Sequence, residues 1–476
     1  MPYLTTIGLE VHAQLRTRSK IFCGCSAAYG APPNTQVCPV CLGFPGALPV
    51  LNRTAVEQAV RAALALGCTV HPVSVFARKH YFYPDLPKGY QISQHAEPLA
   101  TGGTVAVDGP AGPRRIGIAR VHMEEDAGKS LHDESGSGAT AVDFNRSGVP
   151  LIEIVTGPEI DSAGLAAACF SRIRDVLVAL GVTDGNMEEG SLRCDANVSV
   201  RPSAGAPLGV KTETKNINSF RYVQRALEFE IDRQIARLSR GERVEQETRL
   251  WDSITGRTVS MRGKEEAHDY RYLPEPDLPC LQVSPALVEK LRTALPLLPE
   301  QRRDRLVARY GLPAYDAGVL TQSPALEAYF EATASASGSP KAASNWIMGE
   351  VLGRLHAAGA SIGDIRIPPE ALAGLIRLVE SGRITGPTAK AVFEKMFAGG
   401  GSAEAIVETE GLARIDDDAA IEALVRDTIA AHPKPVEQYR AGKAQTLGFL
   451  VGQVMKASGG KADPEKVAAC VRRALN

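Results

Sequence analysis

Residues 9–16 read Leu-Glu-Val-His-Ala-Gln-Leu-Arg, a strict alternation of apolar and polar side chains. Successive side chains of a β-strand point to opposite faces, so this segment predicts a strand with one apolar and one polar face. The same alternation recurs in residues 116–124, 191–200 and 210–215. The side chains placed on the four polar faces are Glu10, His12, Gln14 and Arg16; Arg120, His122 and Glu124; Ser191, Arg193, Asp195, Asn197 and Ser199; and Lys211, Glu213 and Lys215.

These polar faces differ from an ordinary solvated sheet surface, which usually carries threonine, lysine and serine. Acids, histidine and arginine together are typical of the floor of a cavity that binds a metal ion and phosphate. Any one of the strands, taken alone, is better explained as a half-exposed strand of an antiparallel sheet. The occurrence of four such faces in one chain favours a site.

Length and composition limit the class of protein. The chain has 476 residues, which predicts two or three domains, and its 22% charged and 44% hydrophobic residues are ordinary for a soluble globular protein. The net charge of -1 excludes a general attraction to nucleic acid, so an RNA contact needs a local basic patch. The first residues lack the features of a signal peptide and no apolar run reaches membrane-spanning length. We therefore expect a cytoplasmic protein that does not contact a membrane.

The chain has two regions with different sequence patterns. Residues 1–292 alternate short strands with helices, which predicts an α+β domain with a mainly antiparallel sheet. The helices expected in this domain are 54–66, 162–180 and 219–240. The remainder is alanine-rich and helical, and we divide it into an all-α domain at 293–401 and a small all-α tail domain at 402–476.

The helical part contains two clear periodic patterns and a charge asymmetry. One helical stripe consists of Trp346, Ile347, Val351 and Leu355. A second helix is expected at 368–382, and the glycines of 399–402 predict a flexible joint. Residues 402–428 are mainly acidic and residues 434–476 mainly basic. The basic segment is the best local candidate for an RNA contact, although a solvated helix face explains it equally well.

Four of the nine cysteines form a metal-binding pattern between residues 23 and 41. Cys23 and Cys25 are followed by Cys38 and Cys41, a spacing at which two hairpins can offer four thiolates to a tetrahedral zinc ion. Four free buried cysteines are a poor alternative, and disulfides are not expected in a reducing compartment. Because protein ligands fill all four positions, we expect a structural zinc that contributes on the order of 10 kcal/mol to local folding.

Carboxylates occur in short runs that can supply the hard oxygen ligands preferred by Mg²⁺. The acids and imidazole of this set are Glu10, His12, Glu124, Glu125, Asp126, Glu153, Glu188, Glu189 and Asp195. Adjacent residues of a strand point to opposite faces, so one of Glu124 and Glu125 enters the cavity, and parity with His122 favours Glu124. The alternative is that these runs are acidic surface turns. A phosphate-binding P-loop is excluded, because Met123 occupies the position of its first glycine.

Residues 79–90 form a dense aromatic and basic segment. Aromatic rings can stack on a terminal adenine and lysine can bind phosphate, which favours a binding role for Lys79 and Tyr83. The alternative is a proline-ordered hairpin whose rings pack into a core, and we expect this for Phe82.

Seven segments distributed over the chain match a known family. They are Ile7-Gly8-Leu9-Glu10-Val11-His12, Tyr81-Phe82-Tyr83-Pro84-Asp85, Gln91-Ile92-Ser93-Gln94, 122–129, 187–195, Asp269-Tyr270-Arg271-Tyr272 and 448–456. On these segments the chain resembles the GatB family, whose members are subunits of the tRNA-dependent aspartyl/glutamyl-tRNA(Asn/Gln) amidotransferases. The resemblance covers essentially the whole chain.

The resemblance implies a ligase that forms carbon–nitrogen bonds with glutamine as the amide donor. Members of this family transfer the γ-phosphate of ATP to the side-chain carboxylate of misacylated Glu-tRNA(Gln) or Asp-tRNA(Asn), and ammonia then displaces the phosphate. The implied cofactors are ATP and Mg²⁺, and the implied partners are an amidase subunit (GatA), a small clasp subunit (GatC) and the misacylated tRNA. The implied catalytic domain is cradle-shaped and similar to glutamine synthetase and guanidino kinases, and the helical end domain contacts the tRNA body.

The resemblance also suggests roles for individual residues. The expected magnesium ligands are Glu10, His12 and Glu124 or Glu125, with Glu188 and Asp195 as further catalytic candidates. The groups expected to bind substrate or phosphate are Lys79, Tyr81, Tyr83, Arg193 and Lys211. A ring of carboxylates can also deprotonate incoming ammonium beside the acyl phosphate.

Two other functions stay open from the sequence. A non-catalytic scaffold would bind tRNA through the zinc knuckle and the basic tail, and it would tolerate changes at Glu10 and His12. A metal-dependent small-molecule ligase would act on free glutamate without tRNA. The acid-rich sheet face argues against the scaffold, because carboxylates repel RNA.

Overall fold

The computed structural model describes residues 3–109, 112–132, 140–261, 270–399, 401–415, 417–441, 443 and 445–475. The chain divides into two compact units, Met1–Leu298 and Pro299–Asn476. The first unit is mixed α/β and the second is helical, as the change of sequence texture predicts. Asp269 of the family motif and Gly400 of the expected joint lie outside the described residues.

The first unit contains strands and helices with the following bounds. The strands are β1 (Leu4–Gln14), β2 (Thr69–Val70), β3 (Val73–Ser74), β4 (Phe76–His80), β5 (Tyr90–Gln94), β6 (Ala100–Gly109), β7 (Gly112–Glu125), β8 (Lys129–His132), β9 (Thr140–Asp143), β10 (Pro150–Thr156), β11 (Leu192–Arg201), β12 (Thr212–Lys215), β13 (Thr248–Asp252), β14 (Arg257–Ser260), β15 (Leu273–Pro274) and β16 (Leu281–Gln282). The helices are α1 (Arg53–Ala65), α2 (Ala163–Ala179), α3 (Phe220–Ser239) and α4 (Pro285–Thr293).

A large sheet organises this unit, with the strand order β14-β13-β12-β11-β1-β10-β7-β6-β2 in the described residues. Neighbouring strands are antiparallel except β12 and β13, which run parallel. In β1, Leu9 and Val11 are fully buried in the core, whereas Glu10 and His12 point to the other face. The predicted alternation is therefore confirmed for this strand, and its polar side chains lie near the centre of the sheet.

A β-bulge in β7 sets which side chains of this long strand reach the polar face. The pairing of β7 with β10 shifts by one residue between Val155 and Thr156. The extra residue in β7 exchanges the two faces of this strand. Ile118, which precedes the bulge, and Val121, which follows it, therefore both point into the core. As a consequence, His122 lies on the polar face although it has the same parity as Ile118.

The three helices predicted for this unit are observed, and each begins at a side-chain cap. Asn52 accepts a hydrogen bond from the backbone N–H of Thr54, and Ser162 and Ser219 cap α2 and α3 in the same way. Gly181, with a φ of 69°, follows α2 as expected. The buried faces of α1, α2 and α3 share one hydrophobic core with the apolar face of the sheet.

A buried ion network joins α3 to the strands β12 and β13. The Glu230 carboxylate is fully buried, lies 2.7 Å from Arg233 Nη2 and 3.2 Å from Arg249 Nε, and accepts a hydrogen bond of 2.8 Å from Thr212 Oγ1. Replacement of Glu230 by glutamine leaves two guanidinium groups facing a neutral amide, and we expect it to lower the free energy of unfolding by about 3 kcal/mol. Urea unfolding at neutral pH measures this loss.

The same network makes the loss depend on pH. Burial by itself would raise the pKa of Glu230, but the hydrogen bonds and charge of Arg233 outweigh it and the pKa is lowered. A carboxyl group with a lowered folded-state pKa stabilises the fold above its unfolded pKa, and this contribution is lost as the pH falls through the folded value. The difference between wild type and Glu230→Gln should therefore be full near neutrality and shrink below about pH 4.5. An equal loss for Glu228→Gln, at an exposed position of the same helix, would contradict the prediction.

The second unit is built from helices throughout its described residues. They are α5 (Pro299–Tyr310), α6 (Ala314–Leu320), α7 (Pro324–Ser337), α8 (Pro340–Trp346), α9 (Leu352–Ala358), α10 (Pro369–Glu380), α11 (Gly386–Gly399), α12 (Ala403–Thr409), α13 (Asp418–Ala431), α14 (Pro433–Arg440), α15 (Thr446–Ala457) and α16 (Pro464–Leu475). Their apolar side chains form two clusters, one within 306–407 and one within 421–475. Among the described helices, none is both long and apolar enough to span a membrane.

The patterns predicted for this unit are observed with one local difference. The helix expected at 368–382 is α10, which begins at Pro369. Ile347, Val351 and Leu355 are buried as the stripe predicts, but Ile347–Val351 is a π-helical segment between α8 and α9. Sequence periodicity does not distinguish an α-helix from this π-helical segment, because a single wider turn still leaves these side chains on the buried face.

Candidate active site

Three neighbouring strands bring two histidines and two carboxylates together. β10 lies between β1 and β7, and its Glu153 is opposite His12 on one side and opposite His122 on the other. The Glu124 carboxylate of β7 approaches both imidazoles. Strand register therefore creates a cluster of four titratable side chains above the centre of the sheet.

The distances in this cluster suit a divalent cation. His12 Nε2 lies 3.5 Å from Glu153 Oε2 and 3.9 Å from Glu124 Oε1. His122 Nε2 lies 3.1 Å from the same Glu153 oxygen, and Ser93 donates a hydrogen bond of 3.2 Å to Glu124. One ligand atom from each of His12, Glu124 and Glu153 lies within 4.8 Å of the other two. An imidazole nitrogen and two carboxylate oxygens at this spacing can coordinate one metal ion.

The electrostatics of the cluster are those of balanced buried charges. Burial favours the neutral form of His12, but the hydrogen bond and charge of Glu153 outweigh it and raise the pKa of His12 to about 9. Burial likewise opposes ionisation of Glu124 and Glu153, yet the pKa of each is lowered because His122 and His12 lie beside them. The two carboxylates are therefore ionised at neutral pH, and positive charge is required in this cavity.

Glu10 lies on the same face of β1, next to this cluster. Asn197 Nδ2 donates a hydrogen bond of 2.9 Å to its Oε1. Burial, supported by the negative charges of Glu153 and two further acids, raises the pKa of Glu10. A partly buried carboxyl group with a raised pKa is suited to proton transfer.

Arg193 of β11 is held at the cavity by a buried acid. Its Nη2 donates a hydrogen bond of 2.9 Å to Asp126 Oδ1, and Gln14 Nε2 donates one of 2.7 Å to Oδ2 of the same carboxylate. Burial alone would raise the pKa of Asp126, but Arg193 and Arg146 outweigh it and the pKa is lowered. The Arg193 guanidinium remains partly exposed, so it can also reach a ligand.

Asp195, the next acid along the polar face of β11, already has a cationic partner. Lys215 Nζ of β12 lies 2.8 Å from Asp195 Oδ2 and 3.2 Å from Glu213 Oε1. This arrangement confirms the predicted shared face of β11 and β12. It also shows that the charge of Asp195 is balanced within the protein.

Glu125 and Glu188 lie away from the histidine–carboxylate cluster. The Glu125 carboxylate pairs with Lys88 and accepts a hydrogen bond of 2.9 Å from the backbone N–H of Ile92. Glu188 is exposed in the turn before β11. Glu125 lies away from the cluster because of strand alternation: Glu124 shares the face of His122, and Glu125 points to the other face. Their positions remove both residues from the set of metal ligands that we propose below.

The aromatic segment places Lys79 beside the cluster. Lys79 Nζ lies 4.8 Å from the centre of the Tyr270 ring and 5.9 Å from that of Tyr81. Burial alone would lower the pKa of Lys79, but the charge of Glu124 and of other acidic groups outweighs it and the pKa is raised. Lys79 is therefore a cation at the edge of the histidine–carboxylate cluster.

The other rings of this segment are arranged differently from the sequence expectation. Phe82 is 83% exposed, so the prediction that it packs into a core is wrong, and Tyr83 is 63% exposed beside it. The two prolines of the segment instead order a loop whose rings point outward. Farther along the chain, Tyr272 stacks on His95 with 3.9 Å between ring centres and adds a second aromatic surface near Lys79.

Lys211 lies on the far side of Glu10 from the histidines. It is exposed just before β12 and lines a cavity of about 270 Å³ together with Glu10 and Asn197. The cavity also has backbone walls at Gly8 and Gly209. Lys211 can therefore contact only a phosphate that lies at this end of the polar face, beside Glu10.

The four cysteines predicted to bind zinc come together in space. The Sγ atoms of Cys23, Cys25, Cys38 and Cys41 lie within 4.8 Å of one another, and those of Cys38 and Cys41 are 3.9 Å apart. Zinc–sulfur bonds of about 2.3 Å in a tetrahedron separate the sulfurs by about 3.8 Å, so this cluster fits a structural zinc ion. The turn after Cys41 needs glycine at residue 43, because a Cβ at that position would collide with Lys88.

Comparison with known proteins gives the family. A family model described as the GatB/GatE catalytic domain matches residues 5–289, and one described as the GatB domain matches residues 328–475. The chain belongs to the GatB family. The GatB resemblance inferred from the sequence motifs is confirmed.

Relatives of this GatB chain match it from end to end. It is 54% identical over 467 residues to the GatB subunit of the aspartyl/glutamyl-tRNA(Asn/Gln) amidotransferase of Thermodesulfovibrio yellowstonii, and the match covers 98% of each chain. The subunits of the same name from Moorella thermoacetica and Geotalea uraniireducens are 55% and 53% identical, over 98% and 100% of each chain.

Two residues of the cluster gain their importance only in the structure. The sequence places Glu153 among several candidate acids and His122 on the polar face of its strand, and it does not show that the two meet. The sequence does contain a signal for Glu153, since it is the single charged residue of strand β10. A lone acid in a buried strand requires a partner, and here the partners are His12 and His122.

Proposed function

We propose that this GatB-family protein catalyses the ATP-dependent amidation of misacylated Glu-tRNA(Gln) or Asp-tRNA(Asn). It would bind the tRNA, phosphorylate the side-chain carboxylate of the attached amino acid, and admit ammonia that displaces the phosphate. The observation that carries this proposal is the buried cluster of His12, His122, Glu124 and Glu153 on the polar face of the sheet, in a chain of this family.

The reaction needs an activated carboxylate, because an oxide is too poor a leaving group for direct displacement by ammonia. Phosphorylation supplies the leaving group, and catalysis of phosphoryl transfer is mainly positioning and charge neutralisation. We assign Mg²⁺ to His12, Glu124 and Glu153, in place of the set containing Glu125. The ion would neutralise charge on the transferring phosphate.

The other side chains of the polar face complete the proposed site. Arg193, oriented by Asp126, would contact phosphate oxygens, and Lys79 would add a second cation. Glu10 would accept a proton from incoming ammonium, which its raised pKa supports. Tyr81 and Tyr83 lie in the segment that we assign to the terminal adenosine.

The rest of the protein would serve binding and assembly. We propose a structural zinc ion at the four cysteines, a cradle-shaped catalytic domain and a helical tail that contacts the tRNA body. Ammonia would come from glutamine hydrolysis by an amidase subunit, GatA, clasped to this chain by a small subunit, GatC. The scaffold alternative does not explain why two carboxylates and two histidines meet in a site where His122 and Glu124 are buried at a cost in desolvation.

The experiment that tests this function is ADP formation by the assembled complex with and without Glu-tRNA(Gln). Misacylated tRNA should stimulate ATP turnover of the wild type by about tenfold or more. Glu10→Ala should lose roughly 10²-fold of that stimulated rate, which is the usual contribution of a positioned acid or base. The control is Glu289→Ala, because Glu289 is exposed on α4 far along the chain from the polar strands.

The other outcomes separate the alternatives. Normal turnover of Glu10→Ala would show that Glu10 is dispensable and that the reaction site is elsewhere. Turnover without any response to tRNA would favour the small-molecule ligase, and tRNA-stimulated turnover that survives both Glu10→Ala and His12→Ala would favour the scaffold.

A further inference from the structure

Lys20 is a fully buried lysine whose ammonium group lies against the cysteine cluster. Its side chain is 0% exposed, and Nζ lies 3.5 Å from Cys41 Sγ and 3.2 Å from the backbone oxygen of Phe144. No carboxylate of a described residue pairs with it. Burial of an ammonium ion without a negative partner is costly, so this position requires an anionic neighbour. Cys41 is the group placed to provide it.

The backbone of Lys20 also ties the two halves of the cluster together. Its N–H donates a hydrogen bond of 2.9 Å to the carbonyl oxygen of Cys25, while its side chain reaches Cys41 in the other cysteine pair. Gly148 packs on the lysine stem, since a Cβ there would lie 3.5 Å from both Lys20 Cδ and Cys41 Cβ. The stem is therefore held in one direction, and its ammonium is fixed beside the sulfur.

Four thiolates around a zinc ion leave a net charge of about −2, and the sulfur next to Lys20 belongs to Cys41, the buried member of the four. Groups that hydrogen-bond to the ligands orient them and tune the metal, and they contribute to metal affinity. A thiolate that accepts a hydrogen bond from a cation is also a weaker nucleophile toward oxidants, because its charge is partly neutralised.

We infer that Lys20 is the counter-cation of the four-cysteine zinc site, and that its hydrogen bond to Cys41 slows loss of the ion. This inference rests on the proposed zinc and extends it to a residue outside the ligand set. Lys20 acts through Cys41 and does not touch the ion, so it is a positioning residue.

The test compares wild type with Lys20→Met, which keeps the apolar stem and removes the charge. We expect zinc release to a chromophoric chelator in the presence of dilute hydrogen peroxide to be about 10- to 100-fold faster in the variant. In the cobalt-substituted protein, the thiolate-to-cobalt charge-transfer band should move to longer wavelength. A residue that only fills space would leave this band unchanged.

Two further variants keep the test decisive. The double variant Lys88→Met/Glu125→Gln is the matched control, because Lys88 lies near the same cysteines but pairs with the buried Glu125; replacing both leaves no unpaired buried charge, and zinc release should equal that of the wild type. Lys20→Gln keeps a donor for the Phe144 carbonyl and serves if Lys20→Met does not fold; its release should also be accelerated. If the Lys20 variants release zinc at the wild-type rate and leave the cobalt charge-transfer band unchanged, the role inferred for Lys20 is overturned while the zinc assignment stands. Wild-type protein purified without zinc, and unable to bind it, would overturn the zinc assignment as well.

Discussion

Replacement of His12 by alanine should reduce ATP-dependent amidation by about 1,000-fold while the partner's glutaminase reaction persists. His12 contributes one of the three proposed metal ligands. As a ligand its imidazole would be neutral, and the bound ion would balance the charges of Glu124 and Glu153. Loss of His12 leaves two buried carboxylates with one imidazole fewer, so neither the ion nor the phosphate is positioned. The measurement is Gln-tRNA formed from Glu-tRNA(Gln) by the assembled complex, with glutamate release from glutamine recorded in parallel.

Ammonium chloride supplied in place of glutamine separates the two steps of this reaction. If His12 acts in phosphoryl transfer, added ammonium should not rescue the variant. The matched control is His71→Ala. His71 directly follows β2 at one edge of the sheet, away from the central strand β1, and its Nε2 is 2.8 Å from Thr101 Oγ1. His71→Ala should amidate at nearly the wild-type rate. Equal loss of both activities in His12→Ala would instead indicate that His12 supports the fold or the assembly.

Replacement of Cys38 by serine should lower bound zinc from one ion to less than a tenth of an ion per chain. A neutral hydroxyl is a poor ligand in a site built for four thiolates, and zinc binding of such sites is worth on the order of 10 kcal/mol. The turn in which the N–H of Leu42 bonds the carbonyl oxygen of Cys38 should lose its protection. Metal content by emission spectroscopy and amide hydrogen exchange over residues 19–52 measure the two effects.

The control for this change is the exposed cysteine at position 280. Cys280→Ser should retain zinc and exchange as the wild type does, because it lies outside the cysteine cluster. Chelation of zinc from the wild type should reproduce the exchange pattern of Cys38→Ser. If Cys38→Ser keeps its zinc, the four cysteines are not the binding site, and if it loses zinc without any change in exchange, the ion does not stabilise the knuckle.

The features that local sequence determines are those that depend on near neighbours in the chain. Alternation placed His12, Arg193 and Asp195 on polar strand faces, and parity with His122 favoured Glu124 over Glu125. The cysteine spacing likewise predicted the cluster at residues 23–41. The caps of α2 and α3 at Ser162 and Ser219 are local in the same sense, since a capping hydrogen bond spans about three residues.

Tertiary structure decided what depends on strands far apart in the chain. β1 and β10 are separated by more than a hundred residues, so only their pairing shows that Glu153 lies between His12 and His122. Contact of β5 with the end of β7, where the N–H of Ile92 donates to the Glu125 carboxylate, likewise put Lys88 against Glu125. No local pattern encodes these neighbours, because side-chain alternation gives the face of a strand but not which strand lies beside it. The sequence by itself therefore determined the polar faces and the cysteine cluster, and the order and register of the sheet determined which charges meet.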